Sequence, residues 1–110
     1  MIYKVYILNI IILSVLFSQD WDYSADIAEM KTKGGQKIKQ FDGNVVINRA
    51  ELKLETDRAI QYVNDNEIHL YGNVKMKDKE SNISCDQLVY DISSEYCLGY
   101  DNVKIQQKDR

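Results

Sequence analysis

The chain has few of the residues on which most enzymes and nucleic-acid binders depend. It has one histidine, His69, two cysteines, Cys85 and Cys97, and 14 basic side chains against 17 acidic ones, for a net charge of −3. A negative chain without a basic stripe excludes non-specific nucleic-acid binding, which works by neutralising phosphates. The cysteines match no zinc-ligand spacing and form no C-x-x-C pair. There is no Ser/His/Asp set, no glycine-rich phosphate loop and no metal-ligand spacing. Past residue 17 no segment has helical periodicity, so helical architectures are excluded as well. At 110 residues one domain fits, and such a chain buries only about 60–65% of the surface its unfolded form exposes.

The first 18 residues stand apart. Lys4 supplies a positive start, residues 5–17 are apolar except for Asn9 and Ser14, and small Ser18 precedes Gln19 and Asp20. This is the layout of a secretory signal peptide. The apolar stretch is short for crossing a hydrocarbon core of about 30 Å, though a retained membrane anchor stays open. Either way residues 19–110 are expected to be exported, with 13 basic and 17 acidic side chains once Lys4 is removed, a net of −4. Export permits disulfides. The plainer reading of Cys85 and Cys97 is two small side chains in strands, since free cysteine is commonly buried.

What the chain does have is a repeat. Gly43-Asn44-Val45 returns as Gly72-Asn73-Val74 and, altered, as Asp101-Asn102-Val103, 29 residues apart each time. Asp57 and Asp86 keep the same interval. Around the second copy, Ile68, Leu70, Gly72, Val74 and Met76 alternate with His69, Tyr71, Asn73, Lys75 and Lys77, the period of a half-buried strand. Phe41, Gly43, Val45 and Ile47 alternate likewise in the first copy, as do Cys97, Gly99, Val103 and Ile105 in the third. The glycines suit a bulge, or a close approach in which a side chain would crowd the opposite sheet.

Each copy carries a second strand. Leu52, Leu54 and Thr56 share one face; Ile83 and Cys85 do so one repeat later. After Asp57 and Asp86 the apolar side changes phase, because Ala59 and Leu88 fall three residues beyond Thr56 and Cys85. A phase change of this kind marks a bulge or strand corner, whose conformation aspartate tolerates. A looser early copy lies at Asp26, with Gly34-Gly35 as its turn. The pattern predicts an all-β domain of about seven short antiparallel strands between residues 22 and 107. Because one unit cannot bury its own apolar face, the units should stack.

Gly-Asn-Val-x-Ile/Met, followed by Leu/Ile-x-Thr/Cys-Asp-x-Ala/Leu and a tyrosine-bearing strand, resembles the OstA-like (LptA) family of lipopolysaccharide-transport bridge proteins. The likeness is strongest from Leu70 to Tyr90. It implies an open, twisted, V-shaped β-jellyroll, here a short version preceded by the signal helix, whose interior holds acyl chains. It also implies partners: lipopolysaccharide or a related glycolipid, other transport proteins of the family joined by strand addition, and further copies head to tail. No cofactor or metal is implied. The chain departs from the family pattern in being short and in having Asp101 where the glycine should recur.

On this reading the lipid-binding groove would be lined by Phe41, Val45, Ile47, Leu52, Leu54, Ala59, Ile68, Leu70, Val74, Met76, Ile83 and Leu88. Val103 and Ile105 would belong to the partner edge. Several buried methylenes, at about 0.8 kcal/mol each, outweigh exposed ion pairs of about 0–1 kcal/mol, so an acidic chain can still carry an anionic lipid. His69, on the outward side of its strand, reads as a solvated strand residue. Asp57 and Asp86 belong to separate rungs, whereas paired catalytic carboxylates share one substrate gap. A non-enzyme is expected. Two alternatives stay open: an inner-membrane-tethered, LptC-like component of the same pathway, and an exported structural β-repeat protein with a sealed core.

Overall fold

The computed structural model describes residues 21–107; the leader expected over residues 1–18 and the charged finish at 108–110 lie outside the described residues. Eight strands follow one another: β1 (Asp22–Ser24), β2 (Ile27–Lys33), β3 (Gln36–Arg49), β4 (Leu52–Tyr62), β5 (Glu67–Lys77), β6 (Ser81–Asp91), β7 (Tyr96–Tyr100) and β8 (Lys104–Gln107). All paired neighbours are antiparallel. The expectation of about seven short strands is corrected: β3 runs for 14 residues, and β4, β5 and β6 for 11 each. They are long because the Gly-Asn bulges bend the strands without ending them.

Each bend puts one extra residue on the strand that carries Gly-Asn. Gly43-Asn44 of β3 lies opposite Asp57 of β4, and Gly72-Asn73 of β5 lies opposite Asp57 on one side and Asp86 of β6 on the other. Both members of each pair adopt left-handed backbone: φ is +83° and +49° at 43 and 44, +85° and +48° at 72 and 73. Glycine and asparagine are the residues that tolerate this region. A Cβ on Gly43 would lie 2.5 Å from Asp26 Oδ2, and one on Gly72 2.8 Å from Asp57 Oδ2. The crowding neighbour is thus a corner aspartate alongside, Asp26 between β1 and β2 or Asp57 within β4, and not an opposite sheet as the sequence suggested.

Bulges aligned across neighbouring strands crease the whole sheet. On one side of the crease the order is β2-β3-β4-β5-β6-β7, using the first halves of β3 and β5; we term this arm one. On the other side it is β1-β3-β4-β5-β6-β8, using their second halves, termed arm two. The result is an open V-shaped β-jellyroll whose sheet does not close on itself. At its two ends the strand itself breaks at the crease, between β1 and β2 at Asp26 and between β7 and β8 at Asp101-Asn102. Asp26 therefore makes a full rung, and the sequence undercounted by treating it as a loose copy.

Candidate functional site

Residues paired across antiparallel strands point to the same face, so the registers define rows of side chains. In arm one an inner row runs Ala28, Phe41, Ala59, Leu70, Leu88, Gly99, and the next runs Met30, Lys39, Gln61, Ile68, Tyr90, Cys97. In arm two the corresponding row is Tyr23, Ile47, Leu54, Met76, Ile83, Ile105. Val45, Thr56, Val74 and Cys85 form the row beside the crease.

The two inner walls face each other. Tyr23 of arm two stacks on Phe41 of arm one at 4.9 Å between ring centroids, and its hydroxyl donates to Gln61 Oε1 at 2.9 Å. Farther toward the mouth, Trp21 meets Tyr90 edge-on at 6.1 Å. Arg49 lies over the Trp21 ring at 4.6 Å and pairs with Glu95 at 3.4 Å. Burial raises the Tyr23 hydroxyl above its ordinary pKa, partly offset by the Gln61 contact, and burial likewise raises Tyr90.

Of the twelve expected groove residues, ten are buried in one cluster: Phe41, Val45, Ile47, Leu54, Ala59, Ile68, Leu70, Val74, Met76 and Leu88. Leu52 and Ile83 are half-buried at its margin. Burial is not uniform along the rows. Ile47, Leu54, Ile68 and Leu70, in the middle, are 0% exposed, whereas the end residues Met30 and Ile105 are 76% and 65% exposed. The apolar interior is therefore covered at its centre and runs out at both ends of the sheet. Val103 and Ile105, expected at a partner edge, are exposed there, with Tyr96, Leu98 and Tyr100 of β7 on the outer face beside them. At the other end Ile27 is exposed beside Met30.

Two corner residues were not singled out by the sequence as more than alternating strand positions. Thr56 is buried, and its hydroxyl donates into the pair of carbonyls of Tyr71 and Gly72, at 2.9 and 3.0 Å. Cys85, one repeat later, places its Sγ 3.2 Å from the carbonyl of Gln87. Both supply a small donor to backbone that the bulge leaves unpaired. The 29-residue alignment of Thr56 with Cys85 was the available signal. Both cysteines are free thiols, and burial raises both above the ordinary thiol pKa, which opposes formation of the nucleophilic thiolate.

The acids and the histidine also have local partners. Asp26, Asp57 and Asp86 each accept from the asparagine of their own rung, at 3.1, 2.9 and 2.8 Å. His69 is on the outer face as expected, but it is half-buried rather than solvated. Its ring sits 4.7 Å from that of Tyr62 and its Nε2 lies 3.0 Å from Glu67 Oε1.

A family model described as OstA-like protein matches residues 22–110. Among solved structures, the chain is similar to the crystal structure of LptH, the LptA homologous periplasmic component of the conserved lipopolysaccharide transport device from Pseudomonas aeruginosa. The two share 14% identity at a TM-score of 0.42, with 84% of this chain and 96% of that one covered. No curated protein matches the sequence.

Proposed function

Because the chain belongs to the OstA-like family, we propose that it is a non-catalytic lipid carrier of lipopolysaccharide transport, exported to the periplasm, which holds acyl chains between its two arms. The observation that carries this reading is the pair of inner walls, apolar along most of their length, covered at the centre and exposed at both ends. An acyl chain entering from an end replaces arm-to-arm contacts with contacts of the same kind. Each methylene it removes from water contributes about 0.8 kcal/mol. The phosphorylated head group stays outside the walls, in water.

The free edges supply the assembly mode. β2 at one end and β7 with β8 at the other each leave a row of backbone N–H and C=O groups without a neighbouring strand, which is a template for strand addition. Head-to-tail pairing of unlike ends does not close and yields filaments. It would also continue the interior from one copy to the next, because Met30 and Ile105 stand at those ends. An inner-membrane-tethered role is the variant of this reading in which residues 1–18 are retained.

A sealed structural repeat is the second reading, favoured by the complete burial of Ile47, Leu54 and Leu70. The two separate on ligand uptake. The marginal Ile83→Glu should abolish crosslinking of the protein to lipopolysaccharide, while the far-ultraviolet strand spectrum persists. Uptake unchanged in a folded Ile83→Glu protein, or no uptake of any acylated ligand by the native chain, removes the carrier reading.

A further inference from the structure

The outer wall of arm two carries a cluster of lysines on an otherwise acidic chain. Two rows cross it: Ser24, Val46, Glu55, Lys75, Ser84, Lys104, and beside it Asp22, Asn48, Lys53, Lys77, Asn82, Gln106. Neighbouring strands lie about 4.8 Å apart and alternate residues of one strand about 7 Å apart. Lys75 and Lys104 therefore flank Ser84, with Lys77 on the diagonal. A concavity of about 310 Å³ opens over this point, lined by those three lysines, Asn82, Ser84 and Gln106, with Met76 and Ile83 of the same strands.

Among the described residues no carboxylate lines the concavity. The nearest acids in register are already engaged: Glu55 pairs with Lys53 at 3.4 Å, and Asp86, toward the crease, accepts from Asn102 at 2.8 Å. Among the described residues none of Lys75, Lys77 and Lys104 forms an ion pair. Lysines on an edge strand can serve to repel unwanted strand pairing. That explains Lys104 on β8, but not Lys75 and Lys77, which lie on the central strand β5.

We infer that this wall binds a phosphate-bearing group, seated over Ser84 between Lys75 and Lys104 with Lys77 closing the third side. Three positive side chains held close together repel one another, and a multiply charged anion converts that repulsion into attraction. The Ser84 hydroxyl can donate to a phosphate oxygen. The lysines and Ser84 face away from the interior between the arms, and the concavity shares with that interior only Met76 and Ile83.

The test titrates the isotopically labelled chain with inorganic phosphate and, separately, measures sedimentation with phosphatidylglycerol or phosphatidylcholine vesicles. Saturable amide shifts over residues 75–77, 82–84 and 104–106, weakened at least tenfold by combined Lys75→Gln, Lys77→Gln and Lys104→Gln, are the expected result. Binding only to phosphatidylglycerol vesicles, lost in the same variant and kept in a Lys31→Gln, Lys33→Gln, Lys37→Gln control, assigns the phosphate to a lipid head group. Absence of binding to both probes, or binding that the triple variant leaves unchanged, overturns the proposal.

Discussion

Asn73 donates its side-chain amide to Asp57 Oδ2 at 2.9 Å, sixteen residues back along the chain. Asn102 does the same to Asp86 at 2.8 Å across the same separation, and Asn44 to Asp26 at 3.1 Å. Each bond ties a residue in left-handed conformation to the neighbouring strand at the crease, where the bulge has interrupted the regular ladder. The repeated Gly-Asn is therefore a device for folding one sheet into two walls. At the third rung the glycine has become Asp101, whose φ of +64° is less extreme than the +85° of Gly72, and β7 and β8 are separate strands.

Gly72→Ala should lower stability by about 2 kcal/mol, because the left-handed backbone is strained for alanine and the new Cβ would meet Asp57 Oδ2 at 2.8 Å. Gly99→Ala, whose Cβ meets nothing closer than Cys85 Sγ at 3.4 Å, should cost far less. Urea denaturation of the two variants compares them directly.

Alkaline pH should unfold the protein. Burial raises Cys85 and Cys97 above the ordinary thiol value of 9.0, and Tyr23, Tyr71 and Tyr90 above the ordinary 10.0. The unfolded chain loses these protons first, so the stability they contribute is full below pH 9 and is lost as pH rises through 10 to the raised folded values. Melting temperature against pH, with tyrosinate absorbance recorded alongside, should show a fall that begins above pH 9. A flat profile to pH 11 (about one unit past the free tyrosine value) would contradict it.

Position along a row should govern the cost of truncation. Leu70→Ala, in the closed centre, should lose about 3 kcal/mol, whereas Ile105→Ala, 65% exposed at the end, should lose under about 0.5 kcal/mol. Equal losses would mean that the interior does not open toward β8.

Removal of residues 101–110 takes away β8 and with it the end of arm two. Under the strand-pairing account the truncated chain should form smaller oligomers at a given concentration, as read by sedimentation velocity. An unchanged distribution would detach assembly from this edge.

Much of the inner wall was legible in the sequence because alternation in β3 and β5 is regular on both sides of the bulge. The phase change from Thr56 to Ala59 and from Cys85 to Leu88 was legible too, and both pairs are buried as that change requires. The first rung was obscured because Asp26 and Gly43 are 17 residues apart instead of 15. There the hairpin through Gly34 and Gly35, both at positive φ, lengthens the unit. The neighbour that crowds Gly43 and Gly72 could not be read from one strand alone, since it belongs to the strand alongside. The lysine wall was hidden for a similar reason: Lys75 and Lys77 look like ordinary solvent-facing positions until register places Lys104 across Ser84 from Lys75.

Acyl chains that lie against the inner wall would meet β5 at alternate residues. A photoreactive diazirine side chain placed in turn at positions 68 to 71 and 74 to 76, followed by illumination with lipopolysaccharide, should label with the period of the strand. Adducts are expected at 68, 70, 74 and 76 and none at 69, 71 and 75. Labelling without that alternation, or confined to the outward positions, would contradict that contact.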